Sequence, residues 1–235
     1  MSVDLRVDWC SYQAAKYAVE HWHYSRTMPV AKMVSVGAWE DGRFVGCVVF
    51  SWGANPNIAK PFGLKMTECA ELVRVALTSH SSQTSQIVVR AVKLLAAKSP
   101  GIRLLVSYAD TREGHHGGIY QAMNWVYVGA TAPKFDFELN GQVLQRRSYT
   151  GRNFDGSRLR LPSGAGKIAS PSKHKYLYPL DRAMRKQIAP LAKPYPKRET
   201  CGPSIKGDTL PQAEGGVRST GAALLSSNEV SVSDG

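Results

Sequence analysis

Three short stretches of this 235-residue chain carry the residue types that proton and group transfer need. The first is His21-Trp22-His23-Tyr24-Ser25-Arg26, where imidazole, phenol, hydroxyl and guanidinium crowd one segment. His23, Tyr24 and Ser25 form a polar cluster suited to an active cleft, because such groups give and take protons. A plainer reading makes His21 and His23 surface residues around a buried Trp22. Two histidines two apart on a regular helix point in different directions, which argues against a metal pair, and His115-His116 shares that weakness. The second stretch is Ser107-Tyr108-Ala109-Asp110, followed by Gly114-His115-His116-Gly117-Gly118-Ile119-Tyr120. Groups at the carboxyl ends of strands face the crevice where ligands bind in open sheets. Asp110 could accept a proton there and Tyr120 return one; equally, Asp110 could cap a turn and Tyr120 pack in the core. The third is His80-Ser81-Ser82-Gln83-Thr84-Ser85, hydroxyls and backbone N–H groups ahead of a helix, a general anion site. Thr84 or Ser85 reads as well as the helix cap, and the two uses can coexist.

The elements that must position these groups follow from periodicity. Residues 11–24 have Ala15, Ala18, Val19 and Trp22 on one helical face, with Ser11 as cap. Met33 to Trp39 and Arg43 to Trp52 are strand-like runs around Glu40-Asp41-Gly42, a hairpin signal. A third strand covers Cys69 to Thr78, and a helix runs from Thr84 to Lys98 until Pro100-Gly101 stops it. Ile102 to Ala109 is a continuous apolar strand of the buried kind. A short helix at Gly117 to Asn124 and a strand at Trp125 to Gly129 come next. Asn140-Gly141 joins a second hairpin, Phe135–Leu139 with Gln142–Ser148. Gly151 to Ser172 reads as a loop or arm, Lys175 to Leu180 as a last strand, and Asp181 to Ile188 as a basic helix. This alternation predicts a mixed α/β (α+β) sheet layered with helices, with the third strand and the strand after Gly101 as parallel neighbours.

The charge is unevenly placed. The chain carries a formal +12, and residues 143–198 hold 14 Lys/Arg against two acids, so 14 − 2 = +12 accounts for the whole excess. A neutral body with a basic flank is the electrostatic footprint of a polyanion partner, DNA or RNA; the plainer reading is a solubilising tail. Arg146, Arg147, Arg152, Arg158, Arg160, Lys173 and Lys175 are the candidate phosphate contacts, with Tyr149, Tyr176, Tyr178 and Tyr195 interleaved for stacking. Four cysteines without a CxxC pair indicate reduced, buried thiols rather than a zinc site. No run reaches membrane-spanning length. We expect a catalytic domain over 1–145, a nucleic-acid-contacting arm, strand and helix over 146–193, and a disordered tail over 194–235.

The order of elements resembles the GNAT acyltransferase fold over roughly residues 5–145. The likeness rests on the first helix, the Asp41-Gly42 hairpin, Glu71-Leu72-Val73-Arg74-Val75, the anion loop with its helix, and Gly118 to Gly129. The whole chain resembles, more specifically, the Mom family of phage DNA-adenine modification proteins. That resemblance implies carbamoylmethylation of adenine N6 in phage DNA, evasion of host restriction, and work in the bacterial cytoplasm. It also implies a flipped or locally opened base. His23 or Asp110 is then the candidate base and Tyr24 or Tyr120 the candidate acid. Backbone N–H groups of the Arg74–Ala76 strand could hold an oxyanion, Arg74 and Val75 among them, or Arg74 a donor phosphate. Ser81, Ser82, Thr84 and Ser85 stand where the fold binds the diphosphate of coenzyme A. The fold's usual Gly-rich loop reads Gln83-Thr84-Ser85-Gln86 here, which sets coenzyme A binding in doubt. Two donors fit the added atoms: acetyl-CoA with a later nitrogen source, or an activated glycyl group such as glycyl-tRNA. The rival readings are an acetyltransferase for a tRNA, ribosomal or protein amine, and a non-catalytic DNA-binding protein.

Overall fold

A computed structural model describes residues 3–53, 55, 57–144, 146–149 and 160–197. The chain divides into two units, Met1–Arg198 and Glu199–Gly235, and all of the described residues belong to the first. Arg152 and Arg158 lie outside the described residues, as does the tail from 198 onward, and nothing is described of the Arg147 side chain.

Seven strands form the main sheet: β1 (Leu5–Trp9), β2 (Met33–Glu40), β3 (Arg43–Ser51), β4 (Cys69–Leu77), β5 (Leu104–Asp110), β6 (Val126–Ala130) and, from far along the chain, β10 (Lys173–Pro179). Their order is β1-β2-β3-β4-β5-β10-β6. The β4–β5 pair is parallel and the other five neighbouring pairs are antiparallel. A three-stranded sheet, β8-β7-β9, is made from β7 (Lys134–Leu139), β8 (Gln142–Leu144) and β9 (Gly166–Ser170). Helix α1 (Tyr12–Trp22) packs its Ala15, Ala18 and Val19 on Cys47, Val49 and Ala76. Helix α2 (Thr84–Lys98) buries Ile87, Val88, Ala91, Val92 and Leu95 in the cluster holding Val48, Leu72, Leu105 and Trp125. Helix α4 (Arg182–Ile188) covers Leu104, Val106 and Leu177 on the sheet's other face. Each large side chain so buried contributes about 1.5–3 kcal/mol of transfer free energy.

Two strands were not visible in the sequence pattern. β1 alternates well but buries only Leu5 among its five residues, and β9 is the weakly strand-forming Gly-Lys-Ile-Ala-Ser, which pairs along Lys134 to Glu138 of β7. Tertiary pairing made a strand where composition suggested only a loop. The chain after α4 also stays on the body: Lys193 N–H donates to Tyr127 O at 2.8 Å, and Tyr195 Oη donates to Trp125 O at 2.8 Å.

The feature that matters most for function lies between β4 and β5. Their parallel ladder runs only from Cys69↔Leu104 to Leu72↔Ser107. Beyond it β4 stays with β3 as far as Leu77, and β5 stays with β10 as far as Asp110. The two strands therefore part and leave a wedge. At its apex Ser107 Oγ donates to the freed Leu72 carbonyl at 2.8 Å, so the acceptor that loses its ladder partner gains a side chain instead.

Candidate active site

A cavity of about 720 Å³ fills the wedge, a size usual for small-ligand sites. Val73, Arg74 and Val75 of β4 form one wall and Tyr108 and Ala109 of β5 the other. The end of α1 contributes Trp22, His23 and Tyr24, and the segment Glu113 to Tyr120 closes the bottom. That segment includes helix α3 (Gly118–Ala122). Gly117 enters it at φ +84°, and a Cβ there would sit 2.4 Å from the Tyr176 ring. Only glycine combines that left-handed backbone with that clearance.

His23 is the helix α1 cap residue; its own N–H returns to Val19 O, and the backbone turns extended there. The ring is buried, and that burial, with Arg74 and His115 nearby, lowers its pKa to about 4, so it is neutral at pH 7. Ser25 N–H donates to Nδ1 at 3.1 Å, and Ser25 Oγ lies 2.8 Å from the same nitrogen. An amide N–H can only donate, so Nδ1 is the acceptor and the ring proton resides on Nε2. Tyr24 stacks at 4.2 Å on His23 and meets His115 edge-on at 5.3 Å. Burial and the Asp110 charge raise its pKa, keeping the phenol protonated.

Arg74 donates Nε and Nη2 to Thr27 O at 3.2 and 3.1 Å, and Nη1 to Val73 O at 2.7 Å. It ties the chain after α1 to the wedge wall. Desolvation lowers its pKa from the usual arginine value. Tyr120 is buried, and burial raises its pKa to about 12. Its oxygen is 2.7 Å from Ser107 Oγ. Ser107 has one proton, and the Leu72 carbonyl can only accept it, so the phenol donates to Ser107. Tyr120 thus braces the apex of the wedge while lining its floor.

The structure gathers His23, Tyr24, Arg74, Val75 and Tyr120 around one space. Ser25 sits behind His23 and fixes its tautomer. Asp110 is drawn aside: its carboxylate is ion-paired with Lys173 Nζ and accepts Arg112 N–H at 3.1 Å, the turn-capping alternative. Ser81, Ser82, Thr84 and Ser85 do not line the cavity. Neither Thr84 nor Ser85 caps α2; the cap residue is Gln83, without a side-chain bond, and Thr84 Oγ1 pairs with His80 Nε2 at 3.0 Å. Sequence reasoning undervalued His115, weighed only as half of a metal pair, and passed over Glu113. Both lie in the irregular turn after β5, where no periodicity marks which residues face inward. Among the described residues no group of three or more His, Cys, Asp or Glu could hold a metal ion.

The candidate phosphate contacts divide. Arg146 and Lys167 each stand 5.0 Å from the Phe135 ring on the small sheet, and Phe135 meets Phe137 edge-on at 5.6 Å. Together they form a cationic-aromatic face. Arg160 is exposed. Lys173 is engaged with Asp110, and Lys175 leans over Phe62 at 5.0 Å, so these two are partly committed inside the fold.

Comparison with known proteins places this geometry in context. Residues 4–197 match the model of the Mom protein family. The chain is 25% identical over 206 residues to the methylcarbamoylase mom of Escherichia phage Mu, covering 83% of this chain and 85% of that one. Among solved structures, an acetyltransferase-type protein from Acinetobacter baylyi ADP1 aligns at TM-score 0.44 with 11% identity, over 77% of this chain and 94% of that one. The IAA acetyltransferase of Bacillus cereus aligns at TM-score 0.44 with 14% identity, over 75% and 100%.

Proposed function

The chain belongs to the Mom protein family and is a transferase, and on that premise we propose that it modifies DNA, converting adenine to N6-carbamoylmethyladenine. The observation that carries the reading is the wedge: a neutral His23 with Nε2–H, the Tyr24 phenol and Arg74 converge on one open cavity in a chain whose residues 143–198 hold 14 Lys/Arg against two acids. The basic segment holds phosphates, which supplies affinity with little sequence information. Adenine N6 is stacked and paired in a duplex, so the base is taken out of the helix to reach the cavity. Trp22 and Tyr24 offer rings for it to stack on.

Each group has a role that its surroundings allow. N6 attacks an activated carbonyl; the His23 Nε2–H donates to the oxygen on which charge develops, as a neutral imidazole can. The backbone N–H groups of Arg74 and Val75 are further candidates for that oxygen. Tyr24, held protonated, gives its proton to the leaving oxygen and recovers one from N6. With a glycyl ester as donor, such as glycyl-tRNA, the N6–C bond forms as the ester C–O bond breaks. The glycyl group contains the carbons, oxygen and nitrogen of CH2–CO–NH2 in another connectivity, so an isomerisation completes the product. An acetyl-CoA donor would need a nitrogen source afterwards. The substituent projects into the major groove, where adenine shows N6 and N7, and blocks restriction enzymes that read that edge in the host cytoplasm.

Mass spectrometry of nucleosides from DNA of cells expressing the chain tests the proposal. Deoxyadenosine carrying the acetamido mass is expected, and labelled glycine should reach it. Unmodified DNA alongside modified RNA or protein amines would sink it in favour of an acetyltransferase of another substrate.

A further inference from the structure

The turn between β4 and α2 already has an anion in it. Glu40 ends β2, and its side chain folds back, 4% exposed, beneath that turn. Ser81 N–H donates to Glu40 Oε2 at 2.8 Å and Ser82 N–H to Oε1 at 2.6 Å, so one carboxylate takes both amides in a two-pronged grip. The Ser82 hydroxyl adds a third bond, and His80 lies close enough to favour the charge. Together with the two amides these hold the Glu40 pKa at about 2. Three more groups of the turn are engaged. Arg43 Nη2, from the same hairpin, donates to Ser79 O at 3.0 Å, and His80 bridges Thr78 O at 2.7 Å and Thr84 Oγ1 at 3.0 Å.

This is the position at which the acyltransferase fold accommodates the diphosphate of coenzyme A, and the residues present do not fit that group. Short charge-assisted bonds to backbone N–H are the strong kind, and here the Ser81 and Ser82 amides make them to a carboxylate of the same chain. A diphosphate could reach them only by expelling Glu40, whose charge would then repel it. The competition is unequal as well, because a tethered group acts at an effective concentration of ~mM or more. No glycine in residues 78–86 relaxes the backbone for a closer approach.

We propose that Glu40 is the resident anion of the β4–α2 turn and that the chain recognises its group donor without a diphosphate contact at Ser81 and Ser82. This rests on the group-transfer reading only for the existence of a donor. The test uses no DNA, so its failure leaves DNA modification standing, and the nucleoside experiment can fail without touching it.

The experiment is an amide NMR titration of the full chain with coenzyme A and, separately, with inorganic pyrophosphate. In the wild type, the Ser81 and Ser82 signals should stay in place at millimolar concentrations of either. In Glu40→Gln, which keeps the shape and removes the charge, pyrophosphate should move both signals, with at least about tenfold tighter binding than to the wild type. Wild-type signals that shift at micromolar coenzyme A would overturn the assignment. So would a folded Glu40→Gln protein that still ignores pyrophosphate, since something other than the carboxylate would then close the turn. If the variant does not fold, the wild-type titration decides alone.

Discussion

The wedge between β4 and β5 and the turn that follows β4 both bring polar backbone and side chains together at the end of a strand. They use them in opposite ways. In the wedge, His23 keeps its Nε2 proton on the side away from Ser25, Tyr24 keeps its phenolic proton, and about 720 Å³ of space stands before them. At the turn, Glu40, Arg43 and His80 engage the Ser81 and Ser82 amides, the Thr78 and Ser79 carbonyls and the Thr84 hydroxyl. A strand end or helix start is a ligand site only when its polar groups are left unsatisfied, and a non-local side chain decides that.

Replacing His23 is the most direct attack on this contrast. His23→Ala should lower the rate of adenine modification by about 10²-fold or more, read by nucleoside mass spectrometry on protein whose fold circular dichroism has verified. Unchanged modification in that variant would take His23 out of the chemistry and leave it only a wall residue of the cavity. Next comes the floor of the wedge. Gly117→Ala must place a methyl 2.4 Å from the Tyr176 ring at φ +84°, and should lose about 1–3 kcal/mol or more in denaturant unfolding.

The two sites should also answer pH differently. The folded His23 pKa, about 4, lies below its ordinary 6.5. The stability this group contributes is therefore complete above 6.5 and lost as pH falls towards 4. A ring-proton NMR titration should find no midpoint near 6.5. The folded Glu40 pKa, about 2, lies below 4.5, so its contribution is complete above 4.5 and lost as pH falls through about 2. Wild type should exceed Glu40→Gln in urea midpoint at neutral pH, and the gap should close near pH 2. A gap that persists in strong acid would mean the carboxylate charge is not what holds the turn. The smallest effect belongs to the rim: Arg146→Ala should weaken DNA binding a few-fold and reduce the salt slope by about 0.9, measured by fluorescence anisotropy.

Much of the frame was legible in the chain. Ala15, Ala18 and Val19 mark the buried face of α1, and Ser11 does cap it, accepting Ala14 N–H at 3.1 Å. Asp41-Gly42 and Asn140-Gly141 both make the turns their positive φ values suit. The parallel β4–β5 neighbours followed from strand, helix, strand. The site was legible as a set of residue types and not as an arrangement. His23 and Tyr24 reach the cavity together with Arg74, but Asp110, their equal in the sequence, is turned aside by Lys173 from β10. Ser81 and Ser82 were read as donors facing a ligand; Glu40, the residue that takes those donors, was read only as part of a hairpin.

By itself, the sequence determined what short-range chemistry can determine: helical faces, turn residues, the strand menu, and a basic excess concentrated in residues 143–198. Its likeness to a family added a reaction to look for. Only the tertiary structure decided which polar groups remain available. The partner of a backbone N–H or a carboxylate can stand far away in the chain, as Glu40 stands 41 residues from Ser81. The strength of such a pair depends on distance and burial, and neither is written in local order.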